Sequence, residues 1–365
     1  MVPLCRVSCL AQQSSTGRAP KPARNLPSLA AGILWNAAFL PLYLPLPVTA
    51  DPKILHFVKD APIFFQPWWL DAVAPGAWAY AVARRGEEVA GVLPYAFKIR
   101  LGVFRLVGTP TFTPYLGPWL RASTAKYANR LGEEKDLTLE LIQALPRFAA
   151  FYQTFHPSIT NWLPFCWSGF EQTTLYTYRI EDTADLKKLW SETRDNVRTD
   201  IKKAQKLVQV RETDDVGEFL PLHRLTFSRQ NKALPHSEAV LRRLDAACAE
   251  RGARKILVAA GPDGRLHAGI YLVTDARAVY YLLSGGDPEL RNSGATSLLI
   301  WEAIRWASEQ GKAFDFEGST VEPIERFVRS FGGRQTPFFM IKKTPSVILR
   351  LYRSLIHLTQ TVRAK

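Results

Sequence analysis

The sequence predicts a mixed α/β (α+β) protein of two domains, and three observations lead to this prediction. The chain has 365 residues, which is long for a single hydrophobic core. Its residues are 47% hydrophobic and 12% aromatic, which supplies a sizeable core. Residues 278–333 contain in order the patterns of a strand, a glycine-rich turn, a helix, a second strand and a second helix.

The local signals within this segment are clear. Residues 278–283 are aromatic and β-prone, and the run 284–288 contains two glycines and a proline, which predicts a turn. From Gly294 onward the hydrophobic period becomes helical, and Gly311 predicts the end of that helix.

The start of this helix is the first candidate site. Ser293 predicts an N-cap, and Gly294 allows the backbone to approach a ligand closely. The amides of Gly294, Ala295 and Thr296, with Arg291 beside them, would then form an anion cradle. The alternative is a capped helix with a surface arginine.

The following strand carries two acids. Residues 313–317 alternate in character, so that Asp315 and Glu317 are predicted to share one face. Two carboxylates after an anion cradle suit the roles of general base and orienting group. The alternative is a salt bridge to Arg305 or Arg329.

Several stretches of this region resemble the GNAT-type acyltransferases, in the branch related to the Fem (methicillin-resistance) peptidyltransferases of cell-wall synthesis. The matching residues are Arg291-x-x-Gly294-x-Thr296, Trp301-Glu302-Ala303-Ile304-x-Trp306-Ala307, Phe314-Asp315-Phe316-Glu317-Gly318 and Arg326-Phe327-x-x-Ser330-Phe331-Gly332-Gly333. The resemblance extends over about residues 54–343. It implies two GNAT-like domains with mixed, mostly antiparallel sheets flanked by helices.

The resemblance also implies a donor. In GNAT enzymes the turn before the long helix binds the pyrophosphate of acyl-CoA, which would place acyl-CoA at Arg291, Gly294, Ala295 and Thr296. Thr296 stands where the GNAT motif has glycine or alanine. In the Fem-like branch the donor is instead an aminoacyl-tRNA.

Charge and cysteine content limit the partners. The formal net charge of +14 predicts a polyanionic ligand or an anionic surface. The cysteines Cys5, Cys9, Cys166 and Cys248 show no paired metal-ligand spacing, which predicts a reduced, cytoplasmic protein without a bound metal.

Residues 1–50 differ in composition from the rest of the chain. A polar, basic run is followed by an apolar stretch that several prolines interrupt. We predict a disordered leader or a start assigned too early, and the alternative is a signal peptide.

Residues 51–170 form the predicted N-terminal domain. Its run from 108 to 119 is rich in Gly, Pro and aromatic residues and predicts a long loop. Together with this loop's Tyr115, the residues Gln66 and Trp69 are candidates for one wall of a substrate cleft. The alternative is ordinary core and turn packing.

Residues 171–345 form the predicted C-terminal acyltransferase domain. A helix is predicted from 185 to 207, in which Arg194, Arg198 and Lys202 share one face that would bind phosphates of the substrate. The alternative is a solvated charged helix. Residues 346–365 predict an amphipathic helix that docks on the protein body or lies on an anionic membrane.

The predicted function is the transfer of an acyl group from acyl-CoA to a small-molecule or peptide amine by direct attack. In this hypothesis Glu317 or Asp315 accepts the amine proton, and amides near Ser284 and Gly285 hold the thioester carbonyl. The alternatives are a Fem-like transferase that uses aminoacyl-tRNA on a cell-wall precursor, and a non-catalytic binding module.

Overall fold

The computed structural model describes residues 51–228 and 233–351. The predicted leader at 1–50 lies outside these ranges, as does most of the predicted helix at 346–365. A helix begins at residue 347 and continues to 351, the last residue described. Within the described ranges, no helix has the length and hydropathy of a membrane-spanning segment.

A single twelve-stranded sheet forms the centre of the fold. Its strands are β1 (Trp78–Arg85), β2 (Glu88–Arg100), β3 (Phe104–Gly108), β4 (Trp119–Leu120), β5 (Ala150–Thr154), β6 (Glu171–Ile180), β7 (Gln209–Thr213), β8 (Arg254–Ala260), β9 (Leu266–Thr274), β10 (Ala278–Gly286), β11 (Ala313–Asp315) and β12 (Arg334–Lys343). The order is β1-β2-β3-β5-β12-β6-β11-β10-β9-β8-β7, with β4 paired to β2. The β3–β5 and β10–β11 pairs are parallel and the others antiparallel, which confirms the predicted mixed, mostly antiparallel architecture.

Helices flank the sheet, as predicted. They are α1 (Pro52–Val58), α2 (Pro67–Val73), α3 (Tyr127–Gln143), α4 (Leu163–Trp167), α5 (Leu186–Glu192), α6 (Asp195–Leu207), α7 (Val216–Ser228), α8 (Glu238–Ala249), α9 (Ala295–Glu309) and α10 (Glu322–Arg329). The single helix predicted for 185–207 is wrong, because Thr193 has an extended backbone that separates α5 from α6.

The two halves of the chain repeat one topology. In the first half, β1, β2 and β3 are antiparallel neighbours, and α3 connects β3 to the parallel strand β5. In the second half, β8, β9 and β10 are antiparallel neighbours, and α9 connects β10 to the parallel strand β11. The structure therefore contains the internal repeat that the family resemblance implies.

The strands that follow each unit cross to the other half. β6 follows the first unit along the chain but pairs with β11, whereas β12 follows the second unit and pairs with β5. β6 and β12 also pair with each other, so the strands of both halves form one continuous sheet. Asp315 lies opposite Arg179 on β6, and Tyr152 lies opposite Lys342 on β12. In the two parallel ladders the last pairs are Tyr280 with Asp315 and Gly108 with Tyr152, so Asp315 corresponds in position to Tyr152.

Aromatic side chains pack the two halves together. The ring of Phe64, just before α2, lies 4.8 Å from Tyr280 on β10 and 5.0 Å from Trp69, centroid to centroid. Tyr115 lies 5.3 Å from Phe338 on β12. All of these side chains are buried. Truncating one such aromatic side chain typically costs about 3–5 kcal/mol, so this contact is a major stabilising feature.

Candidate functional site

A cavity of about 330 Å³ lies between α6, the N-terminus of α9 and α10. Arg194 and Asp200 of the α6 region line one side, and Arg291, Gly294 and Thr296 line another. The third side is formed by α10 with Glu322, Arg326 and neighbouring residues. The predicted cradle residues other than Ala295 therefore meet at one concave surface.

The backbone at the start of α9 explains its shape. Residues 291–293 form a short 3-10 turn, and Gly294 caps α9 with a left-handed φ of 79°. A Cβ on Gly294 would lie 2.3 Å from the carbonyl oxygen of Asp200, so glycine lets α6 and α9 approach closely. The predicted cap residue was therefore wrong by one position. Ser293 still accepts a hydrogen bond from the amide of Ala295 at 3.3 Å.

The amides that face the cavity are those of the first helical turn. Ala295 is buried and its amide donates to Ser293, which removes it from the predicted cradle. Thr296 and Ser297 both line the cavity at positions whose amides have no acceptor within the helix. These two residues therefore present the positive end of the helix dipole to the cavity.

The charges around the cavity are mostly positive. Arg326 pairs with Glu322 at 2.5 Å. Among residues 51–228 and 233–351, neither Arg194 nor Arg291 forms an ion pair with a carboxylate. Burial raises the pKa of Asp200. The two unpaired guanidinium groups suit a phosphate ligand better than a neutral one.

The other predicted phosphate ligands of α6 lie elsewhere. Arg198 donates to the carbonyl oxygens of Trp190 and Ser191, each at 3.2 Å, and pairs with Asp195. Lys202 is exposed and outside the cavity. The cause is the face of α6 that meets the cavity: Asn196, Val197 and Asp200 line it, whereas Arg198 lies on another face, towards the end of α5.

Asp315 is the centre of a buried polar network. Its Oδ1 accepts from Thr177 Oγ1 at 2.6 Å, from the amide of Glu317 at 2.7 Å and from Tyr115 Oη at 3.3 Å. Its Oδ2 accepts from Arg179 Nη1 at 2.6 Å. The salt-bridge partner is thus Arg179, whereas the alternative partners considered from sequence, Arg305 and Arg329, pair with Glu302 and Glu325.

This network changes the environment of both ionised groups. Asp315 is fully buried and its side chain accepts four hydrogen bonds, which fix the orientation of its carboxyl group. Burial alone would lower the pKa of Arg179, but Asp315 and Glu181 raise it. Asp315 therefore suits an orienting role better than proton transfer.

Glu317 has an unusual backbone. The predicted strand ends at Asp315, and Glu317 adopts a left-handed φ of 57° that non-glycine residues rarely take. Gly318 follows with φ 62°, and a Cβ there would lie 2.1 Å from the carbonyl oxygen of Tyr176. A non-glycine residue in this backbone conformation costs about 1–3 kcal/mol, and in many proteins such residues cluster at functional sites. Neither Glu317 nor Asp315 lines the cavity.

The edge of β10 holds residues that the sequence did not predict. Helix α7 contacts this edge at two points, where His223 Nδ1 donates to the carbonyl of Ser284 at 2.9 Å and Thr226 Oγ1 accepts from the amide of Gly286 at 3.3 Å. A Cβ on Gly285 would lie 2.4 Å from the backbone nitrogen of His223. Gly285 thus admits α7, while strand geometry directs the amide of Ser284 to the same edge as its carbonyl.

His223 is joined to a second histidine. Its Nε2 lies 3.1 Å from His236 Nε2, and because its Nδ1 carries the proton donated to Ser284, its Nε2 accepts from His236 when both rings are neutral. Burial lowers the pKa of His223, and burial together with His223 lowers that of His236 to about 4. Within the described ranges, no group hydrogen-bonds to the buried Nδ1 of His236. The two histidines belong to different elements, so no local sequence spacing signals the pair.

The predicted wall of a substrate cleft lies in the interior instead. Trp69 is fully buried and its Nε1 donates to Thr113 at 2.9 Å. Gln66 donates to the carbonyls of Val58 and Ala61. Tyr115 is also fully buried, because the aromatic loop folds inward between the halves. Trp69 and Tyr115 thus pack in the core, Gln66 is half-buried, and Tyr115 also contacts Asp315.

Within residues 51–228 and 233–351, no group of three or more His, Cys, Asp or Glu side chains is arranged to hold a metal ion.

Comparison with known proteins identifies a family match in the second half of the chain. Residues 191–322 match the family described as "Acetyltransferase (GNAT) domain". This segment includes α6, α9 and the strands between them. A comparison with curated proteins gave no significant match.

Solved structures share the fold of nearly the whole described chain. The crystal structure of FemX matches with a TM-score of 0.59 and 14% identity, over 80% of this chain and 96% of that chain. A protein from Agrobacterium fabrum, described as the "C-terminal Domain (DUF2156) of Putative Lysylphosphatidylglycerol Synthetase", matches with a TM-score of 0.53 and 10% identity, over 84% of this chain and 95% of that chain. A Bacteroides thetaiotaomicron protein of unknown function gives 0.50 and 13%, over 83% and 100%.

Proposed function

We propose that this chain, an acyltransferase that carries a GNAT domain within the fold of FemX, transfers an acyl group from acyl-CoA to an amine. The family match and the fold confirm the GNAT/Fem relationship predicted from the residues after position 291. The donor and the reacting residues are the proposal. It depends on one observation, the cavity that combines a helix N-terminus with two arginines that form no ion pair with any carboxylate of the described residues.

The phosphates of the donor would bind in this cavity. The amides of Thr296 and Ser297 and the side chains of Arg194 and Arg291 supply donors for phosphate oxygens. Helix α6 is held against this turn by Lys203, whose Nζ donates to the carbonyl of Asn292 at 2.6 Å. The cavity volume suits a pyrophosphate group with part of a nucleotide.

The acyl group would lie along the open part of β10. The last pairing between β10 and β11 is Tyr280 with Asp315, whereas β10 continues to Gly286. The two strands therefore separate towards the end that leads to α9. An extended thiol arm reaching from the cavity along this edge would bring its carbonyl to the amide of Ser284.

The chemical step in this proposal is direct attack. The amine lone pair forms a bond to the thioester carbon, the carbon–sulfur bond breaks, and the thiolate of CoA leaves. Glu317 accepts the proton that the amine loses. Asp315 positions Glu317 by accepting a hydrogen bond from its backbone amide. Asp315 itself is a positioning residue in this scheme, because hydrogen bonds occupy both of its oxygens.

A specific observation favours a second donor. The outer face of α6 carries exposed lysines, including Lys202 and Lys206, on a chain with a net charge of +14. Exposed lysines of this kind would suit the backbone of an aminoacyl-tRNA, as in the Fem-like alternative. In this alternative the acceptor is a cell-wall precursor.

Calorimetric titration of the full chain with acetyl-CoA, longer acyl-CoAs and charged tRNA tests the proposal. We expect acyl-CoA to bind, and Arg291→Ala to weaken binding by about tenfold or more through loss of a charge-assisted hydrogen bond. Arg305→Ala is the matched control, because this exposed arginine lies on α9 outside the cavity. Binding of tRNA alone would replace the first donor with the second. Binding of neither, or equal losses in the two variants, would refute the phosphate site.

A further inference from the structure

The hairpin between β2 and β3 exposes apolar side chains at its tip. Leu101 and Val103 are 84% and 76% exposed, more than any other large apolar side chain of the described residues. Leu101 also takes a left-handed φ of 50°. Exposing two neighbouring aliphatic side chains to water does not stabilise the fold, so this tip is a candidate for contact with another surface.

Two other segments bring exposed apolar groups to the same end of the sheet. The amide of Ala149 donates to the carbonyl of Arg105, at the base of the hairpin, and the amide of Ser346 donates to the carbonyl of Ala149. The helix that begins immediately after Ser346 exposes Ile348 by 66% and Leu351 by 61%. Their neighbour Val347 is exposed as well.

An exposed tryptophan lies at this end too. Lys343, the last residue of β12, donates from Nζ to the carbonyl of Ser168 at 2.5 Å, and the adjacent Trp167 is 59% exposed. The apolar patch thus consists of Leu101, Val103, Trp167, Val347, Ile348 and Leu351. Tryptophan with aliphatic neighbours is the composition that partitions into the headgroup region of a bilayer.

Unpaired cations surround the apolar patch. Lys98 and Arg100 flank the hairpin tip, Arg147 precedes β5, and Arg350 lies in the terminal helix; all four are exposed. None of them forms an ion pair with a carboxylate of the described residues. The sequence has no acidic residue from 89 to 132. The charge of this end therefore matches an anionic surface.

From these observations we propose that the apolar patch docks this protein onto an anionic lipid bilayer. The hairpin tip and the terminal helix insert their apolar side chains among the headgroups, and the surrounding cations contact lipid phosphates. The cavity lies near the opposite end of β12, about 30 Å away at ~3.3 Å per strand residue. A membrane-bound chain would keep its cavity open to a water-soluble donor.

Vesicle co-sedimentation of the full chain tests this proposal. We expect retention on vesicles containing phosphatidylglycerol, weaker retention on phosphatidylcholine alone, and release as salt concentration rises. Leu101→Asn with Val103→Ser should weaken partitioning by about tenfold or more, since asparagine tolerates the left-handed backbone and both substitutions remove apolar contact. Leu55→Asn with Leu207→Ser, which alter exposed leucines outside the patch, should bind as the unmodified chain does.

Charge reversals separate the electrostatic contribution. Lys98→Glu with Arg100→Glu should weaken binding to anionic vesicles by about tenfold or more, whereas Lys187→Glu with Lys188→Glu on α5 should not. Equal binding to neutral and anionic vesicles would overturn the proposal, as would full retention of the hairpin variant. A change in the sedimentation of lipid-free protein caused by the hairpin variant would instead identify a contact between copies of the chain, and would also overturn it.

Discussion

The two strand–helix–strand units of this protein share a topology but differ in whether their parallel strands stay together. In the first unit, β3 pairs with β5 up to its last residue, Gly108, and the amides of Thr109 and Leu116 extend the contact to Tyr152 and Thr154. In the second unit, pairing stops at Tyr280 while β10 continues. The first unit is closed, and the second is open at the end that faces α9.

The connections between strand and helix account for this difference. The connection after β3 runs through residues 109–126 and folds Tyr115 into the interior. The connection after β10 is a short turn that delivers Gly294 directly to the cavity. The first unit thereby supplies a support for Asp315 in the second, whereas the second unit forms the cavity proposed to bind the donor.

Equivalent positions make the comparison testable. Two residues after the corresponding positions Asp315 and Tyr152, Glu317 follows the end of β11 in the second unit and Thr154 ends β5 in the first. We expect Glu317→Gln to reduce kcat by about 10²–10⁴ with little change in donor KM, because it removes the proposed proton acceptor and keeps the shape of the side chain. Steady-state kinetics with acyl-CoA and an amine would measure both constants.

Thr154→Val is the control for this substitution. Thr154 donates to the carbonyl of Pro114 at 2.6 Å, so we expect a stability loss of about 1 kcal/mol and an unchanged rate. A similar loss of kcat in both variants would mean that the position in the second unit has no catalytic role that its counterpart in the first unit lacks. A parallel loss of donor binding and turnover in the Glu317 variant would remove that residue from proton transfer.

The next largest effect concerns the stability contributed at Asp315, compared with the corresponding position in the first unit, Tyr152. Asp315→Ala would leave Arg179 with a largely buried guanidinium group and a single carboxylate partner, Glu181. We expect a loss of about 3–5 kcal/mol in the free energy of unfolding, measured by urea denaturation. Lys342 occupies the position equivalent to Arg179 but pairs in solvent with Glu171, so Lys342→Ala should cost about 0–1 kcal/mol. Equal losses would contradict the assigned difference in burial.

Local patterns were sufficient to predict much of the open unit. The aromatic run of β10 and the helical period of α9 are determined within a few residues, and both elements have their predicted type. The turn predicted for 284–288 begins later than expected, because β10 continues as a strand to Gly286. The residues Arg291, Gly294 and Thr296 line the cavity. They could be named from the sequence because the amides of a helix N-terminus have no partner within the helix, and the start of the helix is a local signal.

Contacts between distant segments were beyond such patterns. Arg179 and Asp315 meet because β6 crosses to the other half, which no periodicity in either strand encodes. The alternation that placed Asp315 and Glu317 on one face fails because the carboxylate of Asp315 binds the amide of Glu317 and turns the chain. Likewise, His223 and His236 approach only through the packing of α7 on β10.

The smallest expected effect concerns that histidine pair, which contacts the edge of β10 in the open unit. The pKa of His236 is about 4 in the folded protein, below the value near 6.5 of an unfolded histidine, so the unfolded chain binds more protons between these values. Folding stability should therefore fall as pH decreases through this window. For His236→Gln, the difference in unfolding free energy between about pH 7 and about pH 5 should be smaller by about 2 kcal/mol than for the unmodified chain.

Urea denaturation of both proteins at the two pH values measures this difference. The glutamine side chain can still donate to His223, so the contact that holds α7 near Ser284 is retained at neutral pH. Parallel pH dependence of the two proteins would show that His236 is not held neutral by burial. The edge of β10 would then owe its position to Thr226 and to the close approach of Gly285, as a packing contact without a proton-linked component.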